Sequence, residues 1–186
     1  LTINLAMMYG MGVTKLSHQL DVSLEEAKEL TQQYHARVPF VRQLMQGVTR
    51  RLEHPRSNGS VRSLLGRKCR FDKWEPAAFG IHKALPREEA LVTYGTTTQL
   101  KRAFTYKSLN RIIQASAADM SKAATVNLYE SGIVPLLQIH DELACSVKSA
   151  EQAKDIARIM EQALPLRVPN KCDIDIGPSW GEAQPL

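Results

Sequence analysis

The stretch Val134-Pro135-Leu136-Leu137-Gln138-Ile139-His140-Asp141-Glu142-Leu143-Ala144-Cys145-Ser146-Val147 decides the reading of this chain. Apolar residues run up to an acidic pair and away from it again. That pattern predicts two short strands joined by a tight turn, with the carboxylates at its tip. A carboxylate held on a rigid hairpin suits a divalent cation, because Mg²⁺ takes hard oxygen ligands and commonly binds through one or two carboxylates plus substrate phosphates. Alone, His140-Asp141-Glu142 is a weak signal, since a solvated acidic turn has the same composition. Its surroundings carry the decision.

Downstream, Ser149 to Gln152 reads as a capping box that starts a helix with Ala153, Ile156, Ala157, Met160 and Leu164 facing inward. Cys172, Ile174 and Ile176 alternate with polar residues and predict a closing strand, followed by Gly177-x-x-Trp180. Upstream, a long helix is expected from Thr98 to Tyr129, with Leu109, Ile112, Ile113, Ser116, Ala117, Met120, Ala124 and Leu128 on one face. The small run Ala115-Ser-Ala-Ala118 implies that another element packs close there. The order helix, strand, strand, helix, strand gives an α+β layer of antiparallel strands backed by helices.

Residues 3 to 9 predict a helix that stops at Gly10 or Gly12. Ser23 to Glu26 is a capping box for a helix to about Val38, and Pro39 ends or kinks it into a further helix from Val41 to Leu52. His54 to Ser63 reads as a polar loop and Val61 to Phe71 as a short hairpin broken at Gly66. Asp72 to Thr98, with two prolines, shows little periodicity and reads as an insertion.

The chain has 186 residues and a net charge of +5, with no apolar run near the roughly 18 residues of a membrane span. Nine Lys/Arg against two acidic residues lie between Arg42 and Lys73. Such a block is the electrostatic footprint of phosphate-backbone contact, and also of a merely solvated face. Small residues among these arginines leave backbone amides open to phosphates. Cys69, Cys145 and Cys172 have no metal-type spacing and read as reduced thiols. Starting on Leu1, inside what reads as an element, the chain is expected to be a C-terminal piece of something larger.

Three blocks occur in order: Thr2-Ile-Asn-Leu-Ala-Met-Met-Tyr-Gly-Met11, Leu109-Asn-Arg-Ile-Ile-Gln-Ala-Ser-Ala-Ala-Asp119 and Gln138-Ile-His-Asp-Glu142. Together they resemble the C-terminal part of the polymerase domain of family A DNA polymerases. The first is similar to the end of the fingers helix, the second to the glutamine-bearing palm helix, and the third to the metal-binding hairpin. Gly66-Arg67-Lys68 and Gly177-x-x-Trp180 also fit. The resemblance covers nearly the whole chain, with Asp72 to Thr105 aligning poorly.

The resemblance implies the C-terminal part of a polymerase right hand. Residues 1–40 would end the fingers helix and continue the fingers, 41–98 would connect fingers to palm through basic DNA-facing loops, and 99–186 would form the palm. It implies nucleotidyl transfer to a primer 3′-hydroxyl with two Mg²⁺ ions. Asp141 would be a metal ligand and Glu142 an auxiliary carboxylate. His140 would either hydrogen-bond near the primer terminus or fix the turn. Thr2, Asn4, Leu5 and Tyr9 would line the nucleotide side, and Gly10 would let the template approach. Arg67 and Lys68 would meet DNA phosphates. Asn110 and Gln114 would face the nascent duplex, where an amide can bond the minor-groove acceptors present in every correct pair; a core-network role stays open for both.

The chain departs from the family pattern at Leu1, where the motif has a triphosphate-binding lysine, and at Leu5, where many relatives carry an aromatic ring. The motif's arginine and the family's other catalytic aspartate lie outside these residues. The expected partners are therefore a DNA primer-template, deoxynucleoside triphosphates, and an upstream segment or second polypeptide that completes the site, with no membrane. The chain alone is expected to be inactive, in a bacterial or phage-infected cytoplasm or nucleoid, with an organelle left open. A non-catalytic DNA-binding module that retains the palm surface is the alternative.

Overall fold

A computed structural model describes residues 2–186. Leu1 lies outside the described residues, as do the side chains of Thr2 and Leu5, so the expectations placed on those three groups have no structural counterpart. The architecture is mixed, with helices and small antiparallel sheets. It divides into two compact units, one running to Ala115 and one spanning Ser116–Leu186.

The first unit opens with α1 (Thr2–Met8), which ends in a glycine-dependent cap. Gly10 has φ +68; its N–H bonds to the Met7 carbonyl, and the Met11 N–H reaches the Ala6 carbonyl. This is the double bond pattern that closes a helix on a left-handed residue. A helix that the sequence reading missed, α2 (Val13–Leu20), follows. Its N-cap is Gly12 without a side-chain bond, and the residue closing it in the left-handed conformation is Asp21 rather than glycine. Neither end carries the usual signal.

α3 (Leu24–Arg37) starts on the expected capping box: Ser23 Oγ accepts from the Glu26 N–H, and the Glu26 carboxylate accepts from the Ser23 N–H at 2.9 Å. Val38 ends α3, and Pro39 opens α4 (Pro39–Glu53), where its missing N–H costs no helical bond. Ala6, Met7, Leu16 and Ala27 form the core that joins α1 to α3.

The expected hairpin is present as β1 (Ser60–Arg62) paired antiparallel with β2 (Lys68–Arg70), and Gly66 turns it with φ +83. Leu52, Val61 and Phe71 form a second core under it, joined by Val48, Cys69 and Ile112. The stretch from Asp72 is an ordered three-stranded sheet. β3 (Lys73–Pro76) lies between β4 (Leu85–Pro86) and β5 (Leu100–Arg102), and α5 (Arg87–Tyr94) crosses between the latter two.

The long helix is shorter than expected. α6 spans Ser108–Glu130, while residues 98–107 are taken up by β5 and a 3₁₀ turn at Thr105–Lys107. Leu100–Arg102 pair with β3 instead, and Phe104 sits in the left-handed region, which no continuous helix accepts.

In the second unit α6 closes at Gly132 with the same double bond pattern, and β6 (Pro135–Ile139) pairs with β7 (Glu142–Cys145). α7 (Ala150–Glu161) begins on Ser149, whose hydroxyl accepts from the Gln152 N–H, while the Gln152 side-chain oxygen Oε1 accepts from the Lys148 N–H rather than from that of Ser149, so the expected box is half formed. Ala153, Ile156, Ala157 and Leu164 are buried as expected, and Met160 is half-buried. The closing strand shrinks to β8 (Asp175–Ile176), paired with β9 (Gln184–Pro185) as a separate sheet. Gly177 is required there: a Cβ on it would lie 2.6 Å from the Glu182 carbonyl oxygen.

Candidate functional site

The hairpin places its acidic residues unequally. Ile139 and Glu142 are partners in the ladder, so His140 and Asp141 alone form the two-residue turn and Glu142 is the first residue of β7. His140 takes φ +54, a conformation a tight hairpin turn needs and a β-carbon resists. The Gln138 side-chain amide donates to the His140 carbonyl at 3.3 Å and braces the turn. Asp141 and Glu142 are both exposed and offer hard oxygen donors of the kind Mg²⁺ prefers. Among the described residues no three Asp, Glu, His or Cys side chains cluster as a metal site, so these two fit one side of such a site rather than a whole one.

In the other unit, Tyr9 just past the end of α1 and Gln114 on α6 meet. The Gln114 amide donates to the Tyr9 hydroxyl at 2.6 Å, joining residues 105 apart in sequence. Both side chains are exposed, and Asn110 is half-buried one turn earlier on α6. Asn4 is engaged elsewhere, accepting from the Tyr34 hydroxyl at 2.8 Å. Gly10 has room around it: a Cβ there would lie at ordinary contact distance, 3.8 Å from Met45 Sδ and 3.9 Å from the Tyr106 carbonyl oxygen, so its φ of +68 is what calls for glycine.

Arg67 and Lys68 are exposed at the turn into β2, where the Ser63 N–H donates to the Arg67 carbonyl and the Arg67 N–H to Ser63 Oγ. Arg62 Nη1 donates to the Gly66 carbonyl at 2.6 Å, so one exposed arginine of the basic block also shapes the loop. Three other arginines of the block converge. Arg50, Arg51, His54 and Arg56 line a cavity of about 730 Å³ with Ser57 and Asn58. Composition indicated this concentration of charge; the convergence depends on α4 ending at Glu53 and the chain folding back through Pro55.

Sequence reading also missed Asp119. It is 1% exposed on α6, in the same buried row as Ser116. A fully buried carboxylate is uncommon unless partnered, but spacing among small residues gives no hint of it. Of the small run, Ser116 is buried whereas Ala117 and Ala118 are exposed, so close packing is confined to one side. The three cysteines are free thiols, and partial burial raises the pKa of Cys145 and Cys172 above the usual thiol range.

A right-hand polymerase portion is the class that fold and site define together. Residues 2–182 match the model of DNA polymerase family A, and the chain belongs to that family. It is 30% identical over 171 residues to a DNA-directed DNA polymerase of Pseudomonas phage M6, covering 92% of this chain and 22% of that protein. It is 32% identical over 191 residues to the thermostable DNA polymerase I of Thermus aquaticus, covering 98% and 20%. Among solved structures it is similar to the POL domain of Pol1 from M. smegmatis in complex with DNA primer-template and dNTP. There the TM-score is 0.64 at 29% identity, covering 90% of this chain and 27% of that one. The chain thus spans about a fifth of the length of these curated relatives.

Proposed function

We propose that this chain is the C-terminal portion of a template-directed DNA polymerase, adding deoxynucleotides to a primer 3′-hydroxyl once a further segment completes the site. The observation that carries the reading is the Gln114–Tyr9 hydrogen bond. It brings together a fingers-helix end suited to stacking on a base and an amide suited to reading minor-groove acceptors, and it does so across residues far apart in sequence. The M. smegmatis relative holds primer-template and dNTP, which supports the same ligands here.

In this reading Asp141 would hold Mg²⁺, with Glu142 as the auxiliary carboxylate. When bound, the metal supplies Lewis acidity toward the attacking hydroxyl and neutralises charge on the leaving pyrophosphate. The chain's own part is to present those oxygens on a braced turn, to stack and space the templating base through Tyr9 and Gly10, and to probe the duplex with Asn110 and Gln114. The remaining carboxylate and the triphosphate-binding Arg/Lys would come from an upstream segment or a second polypeptide.

The incomplete ligand set among the described residues also favours a second reading, a non-catalytic DNA-binding module. One experiment separates them. Primer extension is measured with the complementing polymerase segment supplied, using the parent and Asp141→Asn. The polymerase reading expects at least a thousandfold loss of extension, with primer-template affinity within about threefold. Undiminished extension by the variant, or none by the parent under any complementation, would overturn it.

A further inference from the structure

None of the blocks that carry the family resemblance falls between Lys73 and Arg102, yet this segment holds the most exposed large apolar side chains described. Phe79 is 109% exposed and Ile81 106%. Both lie in the loop of residues 77–84 that joins β3 to β4. At one end of the sheet Lys73 faces Pro86 and Trp74 faces Arg102, whose guanidinium holds the basic loop through the Ser57 carbonyl. The joining loop leaves from the opposite end, past Pro76 and Leu100 and about 10 Å of strand away.

The loop is built rather than slack. The Ala77 N–H donates to the Gln99 carbonyl at 2.8 Å and extends the β3–β5 ladder. The Tyr94 hydroxyl, at the end of α5, accepts from the Lys83 N–H at 3.1 Å and donates to the Lys83 carbonyl at 2.8 Å. The His82 ring meets the Tyr94 ring edge-on, with centroids 6.0 Å apart, and its Nε2 lies 3.3 Å from the Ala78 carbonyl. That ring folds over Gly80, where a Cβ would come within 3.0 Å of it. A loop braced at Ala78, Gly80 and Lys83 therefore holds Phe79 and Ile81 outward.

Charge and area select what such a tip fits. Between Glu75 and Glu88 the chain has no carboxylate, while His82, Lys83 and Arg87 are present. Glu75 is paired with Lys101 at 3.7 Å, and Glu88 and Glu89 open α5 at the far end of the sheet, next to Pro86. The tip's surroundings are thus cationic, as an anionic ligand requires. Two side chains offer on the order of a few hundred Å² of apolar surface, well short of the ~800 Å² per partner of a standard protein interface. That area does match one face of a base pair.

We infer that Phe79 and Ile81 form a cap that packs on the exposed terminal base pair of a DNA duplex, with Lys83 on a flanking phosphate. Apolar wedges inserted inside a duplex must first unstack a step, whereas a duplex end already shows a base face to water. The inference rests on the polymerase reading for its use: during synthesis the end in question is the fork where a downstream duplex is opened. Covering the last intact pair there holds the parted strands apart.

The test measures anisotropy of this chain with a blunt duplex and with a dumbbell of equal length whose ends are closed by polyether bridges. The parent should bind the open duplex about tenfold more tightly, the gain expected of one stacked aromatic. Phe79→Ala/Ile81→Ala should erase that preference, with dumbbell affinity within twofold and the salt slope unchanged. Lys83→Ala should lower the slope by about 0.9, one duplex phosphate contact. Because the altered groups lie outside the packed core, melting temperatures should match the parent. Phe79→Trp gives a readout independent of lost binding: its added emission should be quenched by the open duplex and not by the dumbbell. In the complemented extension assay the double alanine variant should copy an open template as the parent does, and should stall at least tenfold more often at a downstream duplex.

Equal parental affinity for both DNAs, or equal weakening on both, overturns the inference. So does an intact end preference in the double alanine variant, whether that variant instead loses binding to phosphatidylserine-containing vesicles or assembly with the complementing segment. The polymerase reading fails separately. If Asp141→Asn extends primers as the parent does while the end preference tracks Phe79, the cap stands without that reading. If Asp141→Asn abolishes extension while Phe79→Ala/Ile81→Ala changes neither end binding nor stalling, the reading stands without the cap.

Discussion

At the residue scale, His140 shows how a backbone requirement and a chemical role can be separated. Its left-handed φ costs a residue bearing a Cβ about 1 kcal/mol, and glycine avoids that cost while gaining entropy in the unfolded chain. His140→Gly should therefore leave thermal stability within about 0.5 kcal/mol of the parent, whereas a β-branched residue, His140→Val, should lower it by ~1–2 kcal/mol. Melting curves of both variants check this. If His140→Gly folds normally yet loses extension in the complemented assay, the imidazole has a role at the primer terminus; full activity would leave it only the turn. The Gln114–Tyr9 pair yields to a similar separation. Tyr9→Phe keeps the ring and removes the acceptor, so it should retain base stacking while loosening Gln114, with a smaller loss of extension than Gln114→Ala. Equal losses would show that the hydroxyl's hold on the amide is the larger part.

At the element scale, the segment from Lys73 to Arg102 acts as a buttress for the basic loop. Trp74 on β3 lies under the Arg102 guanidinium at 4.5 Å, and that guanidinium also holds the Ser57 and Phe71 carbonyls. Gly59 makes room for it: with φ +67, a Cβ there would fall almost on Arg102 Nη1. Gly59→Ala should cost ~1–3 kcal/mol and release the loop, read as a lowered melting temperature together with faster proteolysis between His54 and Ser60. The capping box of α3 gives a pH dependence. Hydrogen bonds from the Ser23 hydroxyl and N–H hold the Glu26 carboxyl below the usual carboxylate range. A depressed folded pKa means the cap contributes fully above that range and is lost as pH falls through the lowered value. Ser23→Ala should raise the Glu26 midpoint toward that of an ordinary glutamate, as followed by NMR titration, and weaken α3 by ~1 kcal/mol. An unmoved midpoint would remove the cap from the account.

These elements also show what a sequence can disclose. The capping box at Ser23 and the serine cap at Ser149, where Gln152 reaches Lys148 instead of closing a box, were legible because a serine oxygen three residues before a polar side chain has a direct physical meaning. The hairpin at Asp141 was legible because strand periodicity changes sign across two residues. α2 was invisible because Gly12 and Asp21 replace the customary caps, and the sheet from Lys73 because its strands pair across long separations that leave no local period. In the candidate site, Tyr9, Gly10, Gln114 and Asp141 were found through motif resemblance. The arginine cavity and the buried Asp119 depend on where the backbone turns, which composition does not encode.

At the scale of the whole molecule, the β6–β7 hairpin is the element least explained by the described residues. Val134 and Leu136 are 59% and 69% exposed, and Leu137 and Ile139 are exposed as well. A register shift between Pro135 and Leu137 interrupts the ladder at Leu136, and the exposed Leu136, Leu137 and Ile139 leave apolar surface uncovered. A two-stranded hairpin is marginally stable in water without a third strand or a helix against it, and its open edges invite pairing with other chains. The remaining part of a polymerase domain, whether an upstream segment or a separate polypeptide, is the cover the family reading supplies. Adding that part should slow hydrogen exchange at the amides of residues 136–145 at least tenfold and suppress concentration-dependent aggregation of the chain. Leu136→Lys with Leu137→Lys should make the isolated chain more soluble, yet weaken its assembly with that segment at least tenfold, because a charge buried against apolar cover is left unpaired. If exchange at the hairpin is the same with and without the added segment, and the lysine variant assembles as well as the parent, the apolar faces serve something other than completion of the palm, and the two-part account of the catalytic site loses its structural support.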